Sequence, residues 1–362
     1  MSPAECAHKT TLSNALPPGP ITGPAAWYGR DMADDSHWVY RLKAGEIGEI
    51  EAALAEFRRQ DADLTQVTRE TFRLPTLGPA LDDIRHELLS GRGFILIRGI
   101  PMEGRSVADA AAIFWGLGSH LGKAVSQNGK GHVLGHVRDL GYDVDDPNAR
   151  VYQTDRRQFY HADSCDIVGL MCLKKAKSGG LSSIISSTTL YNEMLARDPD
   201  LTAELFRPFK VDRRGEVPAG MAPYFTVPIM NWFERRLTCY YVRRYIESAQ
   251  RFDDVAPLTE RQIQALDLFD AIAEEDDVHL NMDFKPGDLQ FLHNHQILHD
   301  RTDYVDWDDP DRQRHLLRLW LCPPDGRPLP PSFAARYGGV EPGNRGGIMT
   351  PGVQLHAPLV PI

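Results

Sequence analysis

The sequence has no long apolar run, few cysteines and no surplus of basic residues. None of its apolar runs approaches the roughly 20 residues that a membrane-spanning helix needs, so we expect no membrane association. Residues 1–13 lack the apolar core of a signal peptide. The 5 cysteines are scattered, odd in number and form no CxxC pair, which favours a reducing compartment over a disulfide framework. The sequence therefore predicts a cytoplasmic protein.

The charge balance is acidic. The chain of 362 residues carries 50 Asp and Glu against 40 Lys and Arg, a formal net charge of −10. General nucleic-acid binders usually carry a basic surface, so this balance argues against nucleic acid as a partner. A pocket can still be locally basic, so a small anionic substrate is compatible with the composition. The composition leaves open whether the chain forms a homo-oligomer.

Short segments bounded by turn residues dominate much of the chain. Apolar or alternating patterns predict strands at 94–97, 184–187, 237–242, 288–292 and 315–321. Apolar residues at helical spacing predict helices at 44–59, 81–89, 106–117 and 259–271. Many short strands edged by helices are typical of a mostly β protein of the sandwich or jelly-roll type.

Composition suggests three parts along the chain. Residues 1–75 are predicted to be an extended, proline-rich arm and a helix that pack on the core. Residues 76–325 form the core domain with helical insertions. Residues 326–362 are a Pro- and Gly-rich extension expected to wrap the surface. Because the arm has little of its own to bury, its adjacent aromatics Trp27 and Tyr28 are expected to dock on the main domain or on a second subunit.

The first chemically informative motif is His161-Ala162-Asp163. Residues two apart on a strand point to the same side, so this spacing would present one imidazole and one carboxylate to the same point. A third ligand from elsewhere would complete a 2-His-1-carboxylate face, which suits non-haem Fe(II). Taken alone the motif is weak, because an exposed pair on a strand explains it as well.

A second motif supplies candidates for the third ligand. A predicted turn and strand at 286–292 lead into a segment that holds three histidines, His293, His295 and His299. At most one of them is expected to complete the metal site, and the others are read as structural, supporting or exposed residues.

The third motif places two arginines on one strand. Arg314, Leu316 and Arg318 share a face if the segment is a strand. Inward-facing arginines on an apolar strand are costly unless anions meet them, and a guanidinium suits bidentate capture of a carboxylate. Salt bridges to the chain's own Asp or Glu are the alternative explanation.

Taken in order, these motifs resemble the taurine dioxygenase/TfdA-like family of Fe(II)/2-oxoglutarate-dependent oxygenases. That family has His-x-Asp, then Thr or Ser after a Gly-Gly turn, then a distal His, then Arg. The corresponding segments here are His161-Ala162-Asp163, Gly179-Gly180-Leu181-Ser182, Ile297-Leu298-His299 and Arg314-His315-Leu316. The resemblance covers roughly residues 93–321.

The resemblance implies a double-stranded β-helix, the cupin-like jelly roll, with flanking helices. It also implies Fe(II) bound by His161, Asp163 and His299, with 2-oxoglutarate as cosubstrate and O2 as oxidant. By the same resemblance, Arg314 and Ser182 would hold the far carboxylate of 2-oxoglutarate, with Ser183 as the fallback for Ser182.

For the substrate, the resemblance points to the residue four after that arginine, Arg318. Tyr152 and Gln153, upstream of the metal motif, are expected to line the substrate pocket. The expected reaction is hydroxylation of an unactivated C–H bond of a small molecule, with release of succinate and CO2. The alternatives are desaturation or ring formation at the same iron site, or a non-catalytic cupin-like binder. Halogenation is disfavoured, because Asp163 retains the carboxylate ligand that halogenating relatives lose.

Overall fold

A computed structural model describes residues 16–143, 150–349 and 351–361. Within these ranges the α-helices are α1 (Ala44–Gln60), α2 (Leu77–Ser90), α3 (Val107–Leu121), α4 (Ser187–Arg197), α5 (Pro199–Glu204), α6 (Arg243–Ser248), α7 (Glu260–Ala273) and α8 (Ala334–Tyr337). The strands are β1 (Val39–Arg41), β2 (Phe94–Arg98), β3 (Lys123–Ala124), β4 (Gly135–Val137), β5 (Gln158–His161), β6 (Ile167–Lys174), β7 (Ser178–Gly179), β8 (Ser182–Ser186), β9 (Pro208–Asp212), β10 (Tyr224–Pro228), β11 (Met230–Phe233), β12 (Arg236–Cys239), β13 (Leu280–Met282), β14 (Leu289–His293), β15 (Ile297–Arg301), β16 (Tyr304–Val305) and β17 (His315–Cys322). No helix in the described ranges is long and apolar enough to cross a membrane.

Helix starts follow local sequence signals. The Thr259 side chain accepts a hydrogen bond from the Gln262 backbone at the start of α7, and the Gln262 side chain accepts one from the Thr259 backbone. Ser106 caps α3 by accepting a bond from the backbone of Asp109. The four predicted helices are therefore present, with ends that differ from the sequence estimate by a few residues.

Two sheets form the double-stranded β-helix. The larger sheet has the order β1-β2-β14-β6-β17-β3, with β4 also paired to β17, and the smaller has the order β13-β8-β15-β5. The small hairpins β9–β10 and β11–β12 and the pair β7–β16 lie outside these sheets. The jelly-roll fold expected from the sequence is confirmed.

Side-chain alternation on β2 shows how the layers are built. Phe94 and Leu96 belong to the core between the two sheets, whereas Ile95 and Ile97 face the core formed with α1, α2 and α3. A third core covers the outer side of the smaller sheet with α4, α7 and the hairpin strands. The metal motif lies on β5 and β15 of the smaller sheet, and the arginine strand β17 belongs to the larger sheet.

The N-terminal arm is docked on the chain's own core domain. Trp27 is 4% exposed, packs with its ring centroid 4.9 Å from that of Phe94, and donates from its indole nitrogen to the Arg92 carbonyl at 2.9 Å. The Tyr28 hydroxyl donates to Glu193 at 2.6 Å. These contacts agree with the docking expected from the sequence, while the three-part division at residues 75 and 325 stays a prediction.

The C-terminal extension does more than wrap the surface: residues 351–361 are largely exposed, but an earlier part of it enters the core. Phe333 and Tyr337 are buried in the core on the outer side of the smaller sheet. Arg345 is fully buried and pairs with Asp166 at 2.6 Å, and Asp166 also bonds to His295 at 3.0 Å. Proline and glycine content marked the segment as irregular, but it could not reveal these buried polar contacts.

The buried Arg345–Asp166 pair gives a stability prediction. Burial alone would raise the pKa of Asp166, but His295 and Arg345 outweigh it and hold the pKa at about 2. Arg345→Ala leaves this carboxylate buried without its cation, so we expect a loss of about 3–5 kcal/mol in the free energy of unfolding at neutral pH. Since the folded pKa lies below the unfolded value, the pair's contribution should be present above pH ~4 and fade as pH falls towards ~2.

Urea unfolding measured across this pH range tests the prediction. Arg41→Ala is the matched control, because it removes an exposed pair with Asp35 and should cost no more than about 1 kcal/mol. Equal losses in the two variants would contradict a stabilising role for the buried pair.

Candidate metal centre and substrate cavity

Three potential metal ligands meet between β5 and β15. The sheet register places His161 directly opposite His299, with ring centroids 4.1 Å apart. The Asp163 carboxylate oxygens lie 3.9 Å and 3.8 Å from the Nε2 atoms of His161 and His299. One donor atom from each residue lies within 4.8 Å of the other two. This donor set of two imidazoles and one carboxylate suits non-haem Fe(II).

Hydrogen bonds from distant segments hold Asp163 in the site. Strand β5 ends at His161, and the next backbone nitrogen, that of Ala162, still donates to the Tyr241 carbonyl at 2.8 Å. Asn294 fixes the segment that follows: its side chain accepts from the Asp163 backbone nitrogen at 2.9 Å and donates to the carbonyls of Asp163 and Cys165. The Trp320 indole nitrogen also donates to Asp163 Oδ2 at 2.8 Å.

Asn294 and Trp320 were not singled out as site residues from the sequence. The signals that could have found them are modest. Asn294 lies between two of the clustered histidines, and Trp320 follows Arg318 at the spacing that keeps residues on one face of a strand.

Hydrogen bonds select the tautomer of His161 that can bind a metal through Nε2. Its Nδ1 lies 2.8 Å from the Phe159 carbonyl, which can only accept, so Nδ1 carries the proton. Its Nε2 lies 2.8 Å from the Gln158 amide nitrogen, a donor, so Nε2 presents its lone pair. Burial lowers the pKa of both histidines, that of His299 to about 3. Both imidazoles are therefore neutral at physiological pH, as metal ligation requires.

The charge on Asp163 is maintained by its neighbours. Burial alone would raise the pKa of this carboxyl group, but the cation of Arg318 and the hydrogen bond from Trp320 act against burial, and the pKa lies below its usual value. Among the described residues, the other two histidines of the cluster do not join the site. His295 bonds to Asp166, and His293 accepts from Arg327. The sheet register thus selects His299 from the three candidates.

A small cavity adjoins two of the three ligands, His161 and His299. A serine and three arginines also line it: Ser182, Arg301, Arg314 and Arg318. Ser182 lies directly opposite Arg301 in the register of β8 and β15. Ser183 points elsewhere, since its hydroxyl lies 2.6 Å from that of Tyr160. The structure thus favours Ser182 over the fallback Ser183.

Arg314 and Arg301 form a buried cationic corner of this cavity. Arg314 Nη1 and Arg301 Nε are buried and have no hydrogen-bond partner among the described residues. Neither guanidinium forms a salt bridge to a described carboxylate. Of the two arginines for which internal ion pairs were the alternative explanation, Arg314 therefore forms none among the described residues, whereas Arg318 lies 3.5 Å from Asp163. Burial and the charge of Arg301 lower the pKa of Arg314 to about 10. Two adjacent buried cations are costly unless an anion meets them, and a carboxylate of 2-oxoglutarate fits this requirement.

The Gly-Gly turn allows this corner to form. Gly180 has φ +69°, and a Cβ atom there would lie 3.0 Å from Arg314 Nε. A larger residue would therefore be strained and would crowd the guanidinium.

Arg318 lies where the small cavity meets a large one of about 1500 Å³, because it lines both. Its Nε donates to Gln127 Oε1 at 2.8 Å, its Nη1 lies 3.5 Å from Asp163, and its guanidinium stacks 4.4 Å above the Tyr152 ring centre. Tyr152 also lines both cavities, as expected of a pocket residue. Gln153 lines neither cavity, and its carbonyl accepts from Leu140.

Jelly-roll fold and donor set together define the class: the protein is an Fe(II)/2-oxoglutarate-dependent oxygenase. The chain belongs to the TauD/TfdA family, whose model, described as "Taurine catabolism dioxygenase TauD, TfdA family", matches residues 60–320. The family expected from the sequence motifs is therefore confirmed.

Individual relatives agree with this assignment. FR-33289 synthase of Streptomyces rubellomurinus is 32% identical over 327 residues, which cover 89% of this chain and 96% of the relative. The taurine hydroxylase-like protein SAT17 of Stachybotrys chartarum is 29% identical and covers 84% of this chain and 83% of its own.

Solved structures show the same fold. Asparagine oxygenase in complex with Fe(II), 3-hydroxyasparagine and succinate has a TM-score of 0.61 at 17% identity, covering 78% of this chain and 93% of its own. The non-haem iron oxygenase OrfP in complex with Fe and α-ketoglutaric acid has a TM-score of 0.59 at 14% identity, with the same coverage.

Proposed function

We propose that the protein hydroxylates a C–H bond of a small molecule held in the large cavity. In this proposal His161, Asp163 and His299 hold Fe(II), and Arg314 with Ser182 holds the far carboxylate of 2-oxoglutarate. One observation carries the proposal: the two histidines of the three-ligand cluster line the same cavity as two buried guanidiniums that have no carboxylate partner among the described residues. A metal site beside a cationic corner is what binding of an anionic chelating cosubstrate needs.

The protein's share of the reaction is binding and orientation. When bound, iron and 2-oxoglutarate would supply the chemistry that activates O2, with one of its oxygen atoms going to the substrate and the other to succinate as CO2 is released. His161 and His299 offer neutral nitrogens, while Trp320 and Asn294 hold Asp163 in place for ligation. Burial of the whole set keeps bulk water away from the reacting centre.

Arg318 and Tyr152 are proposed to contact the substrate, because they lie between the metal ligands and the large cavity. Gln153 was predicted with them, but its position outside both cavity linings gives it no such contact. The relatives support a small-molecule substrate: two of the solved neighbours are complexes with hydroxylated asparagine and hydroxylated arginine. Those compounds belong to the neighbours, and the large cavity has its own lining here.

Two measurements test the proposed function. Under anaerobic conditions, adding Fe(II) and 2-oxoglutarate to the purified protein should produce the visible absorbance band of the iron chelate, at one equivalent of each. In air, a compound screen should find substrates that stimulate succinate release and gain the mass of one oxygen atom. A protein that forms no chelate would contradict the proposal, and products that have lost two hydrogens instead would indicate desaturation.

A further inference from the structure

Three arginines of the C-terminal extension are buried, and their partners differ. Arg345 pairs with Asp166, and Arg327 donates to the Leu237 carbonyl and to Gln296. Arg336, which lies on α8, is 7% exposed, and its Nε donates to Ser164 Oγ at 2.8 Å. Its two terminal nitrogens have no acceptor among the described residues. All three arginines lie beyond residue 320, where the match to the family model ends.

Arg336 lines the large cavity close to the metal centre. Its hydrogen-bond acceptor, Ser164, directly follows Asp163 in the chain, so the guanidinium lies on the order of 10 Å from the metal-binding carboxylate. Tyr240 lines the same wall, with its hydroxyl 3.4 Å from Ser164 Oγ. This wall therefore combines a cation with hydroxyl groups that can donate hydrogen bonds.

Other arginines of the large cavity are neutralised by carboxylates. Arg150 pairs with Glu216 at 2.7 Å, Arg157 with Asp300 at 2.9 Å, and Arg243 with Glu247 at 2.6 Å. Arg336 has no such pair among the described residues. The nearby Arg213 also has no carboxylate partner in the described part of the chain, and it donates to the Ala222 and Ala335 carbonyls.

A buried guanidinium without a counter-ion is costly. The charge of Arg336 also contributes, after burial, to lowering the pKa of Arg213. The chain thus maintains two neighbouring cations without a described carboxylate between them, and of the two it is Arg336 that lines the cavity. An anion entering from the cavity would reach the free donors of Arg336 and relieve this cost.

We propose that Arg336 binds an oxyanion group of the substrate, such as a carboxylate, phosphonate, phosphate or sulfonate. This inference rests on the proposed function, because it treats the large cavity as the substrate site. The oxyanion binds at the wall formed by Arg336, Ser164 and Tyr240, and the carbon to be hydroxylated reaches towards His161 and Asp163. The substrate is therefore a molecule with only a few bonds between its oxyanion and its reacting carbon. Arg318, nearer the ligands, contacts the part of the substrate close to the metal.

Calorimetric titration with simple anions tests this site directly. The anaerobic Fe(II)/2-oxoglutarate complex, in which the Arg314 corner is filled, is titrated with acetate, methylphosphonate and methanesulfonate. We expect at least one of them to bind at millimolar concentration. Arg336→Gln should weaken this binding by about 10- to 150-fold, the loss typical of a hydrogen bond to a charged group. The anion affinity of Arg336→Lys should lie between those of the wild type and Arg336→Gln, since lysine keeps the charge but not the guanidinium fork.

Arg243→Gln is the matched control, because it removes a cavity arginine that is already paired, and it should leave anion binding unchanged. Absence of binding to the wild-type protein, or equal binding by wild type and Arg336→Gln, would overturn the proposal. If the Gln variant does not fold, unchanged affinity of the Lys variant would overturn it equally. Comparing the three anions distinguishes a planar carboxylate from a tetrahedral group.

A substrate screen separates this inference from the proposed function. Acids and their neutral amides are compared for stimulation of succinate release. We expect the acids to stimulate and the amides to fail, and Arg336→Gln to raise the KM for the acid while leaving the KM for 2-oxoglutarate unchanged. Equal stimulation by amides would overturn the oxyanion site but leave the oxygenase function intact. Failure of the wild type to bind Fe(II) and 2-oxoglutarate would overturn the function, while the difference in anion affinity between metal-free wild type and metal-free Arg336→Gln would still decide on Arg336, since both keep the same Arg314 corner.

Discussion

His161→Ala and Asp163→Ala are each expected to abolish iron binding and turnover. Each change removes one of the three donor groups that lie within 4.8 Å of one another, and two donors do not define the 2-His-1-carboxylate face. Iron content measured after anaerobic loading, together with succinate release, checks this expectation. Full iron content and activity in either variant would show that the metal lies elsewhere.

A graded pair of variants makes this test sharper. Trp320→Phe keeps an aromatic ring but removes the donor to Asp163 Oδ2, and loss of such a supporting contact typically lowers metal affinity by about 10- to 100-fold. His37→Ala is the control, because the His37 side chain is largely exposed and pairs only with nearby Asp34. It should bind iron as the wild type does. The iron affinity is therefore expected to be highest in His37→Ala, lower in Trp320→Phe and lowest in the two ligand variants.

Arg314→Ala is expected to raise the requirement for 2-oxoglutarate steeply. The variant removes the proposed partner of the far carboxylate of 2-oxoglutarate. Removing one partner of such a buried charged pair costs about 2–5 kcal/mol of binding free energy, or roughly 30- to several-thousand-fold in affinity. Arg318→Ala should instead weaken substrate binding more than 2-oxoglutarate binding, because Arg318 lies at the junction with the large cavity. Titration of both variants with 2-oxoglutarate shows which of the two arginines binds this cosubstrate. The opposite result would mean that the two arginines have exchanged roles.

Stability measurements separate a binding role of Arg314 from a structural one. Without cosubstrate its charge is disfavoured by burial and by Arg301, as its lowered pKa indicates. Arg314→Ala should therefore cost the cosubstrate-free protein little stability, or even stabilise it, while abolishing the rise in Tm that 2-oxoglutarate gives the wild type. A large loss of stability without cosubstrate would show that Arg314 mainly supports the fold.

Local pattern made much of the site predictable. Alternation along a strand requires Arg318 and Trp320 to share a face, and capping signals such as Thr259 with Gln262 set the start of α7. The order of the motifs indicated the family, and with it the jelly-roll fold. These features depend on neighbours in the chain, and for that reason they can be read from the sequence.

Other features depended on contacts between distant segments. The position of Asp163 depends on Asn294, which lies in a distant segment and fixes the backbone after β5. The position of Ser182 opposite Arg301 follows from the register of β8 against β15. Neither register nor long-range hydrogen bonding is encoded in the spacing of neighbouring residues.

The sequence by itself determined the chemistry of this protein: two histidines, a carboxylate and paired arginines in an order that indicates iron and 2-oxoglutarate. Only the tertiary structure decided which buried charges have partners. Arg345 and Arg336 lie in the same irregular, proline-rich extension, yet one pairs with Asp166 and the other faces the large cavity. Whether a buried charge is neutralised depends on which distant groups the fold brings within a few ångströms of it, because charge interactions in the interior are decided by distance and burial.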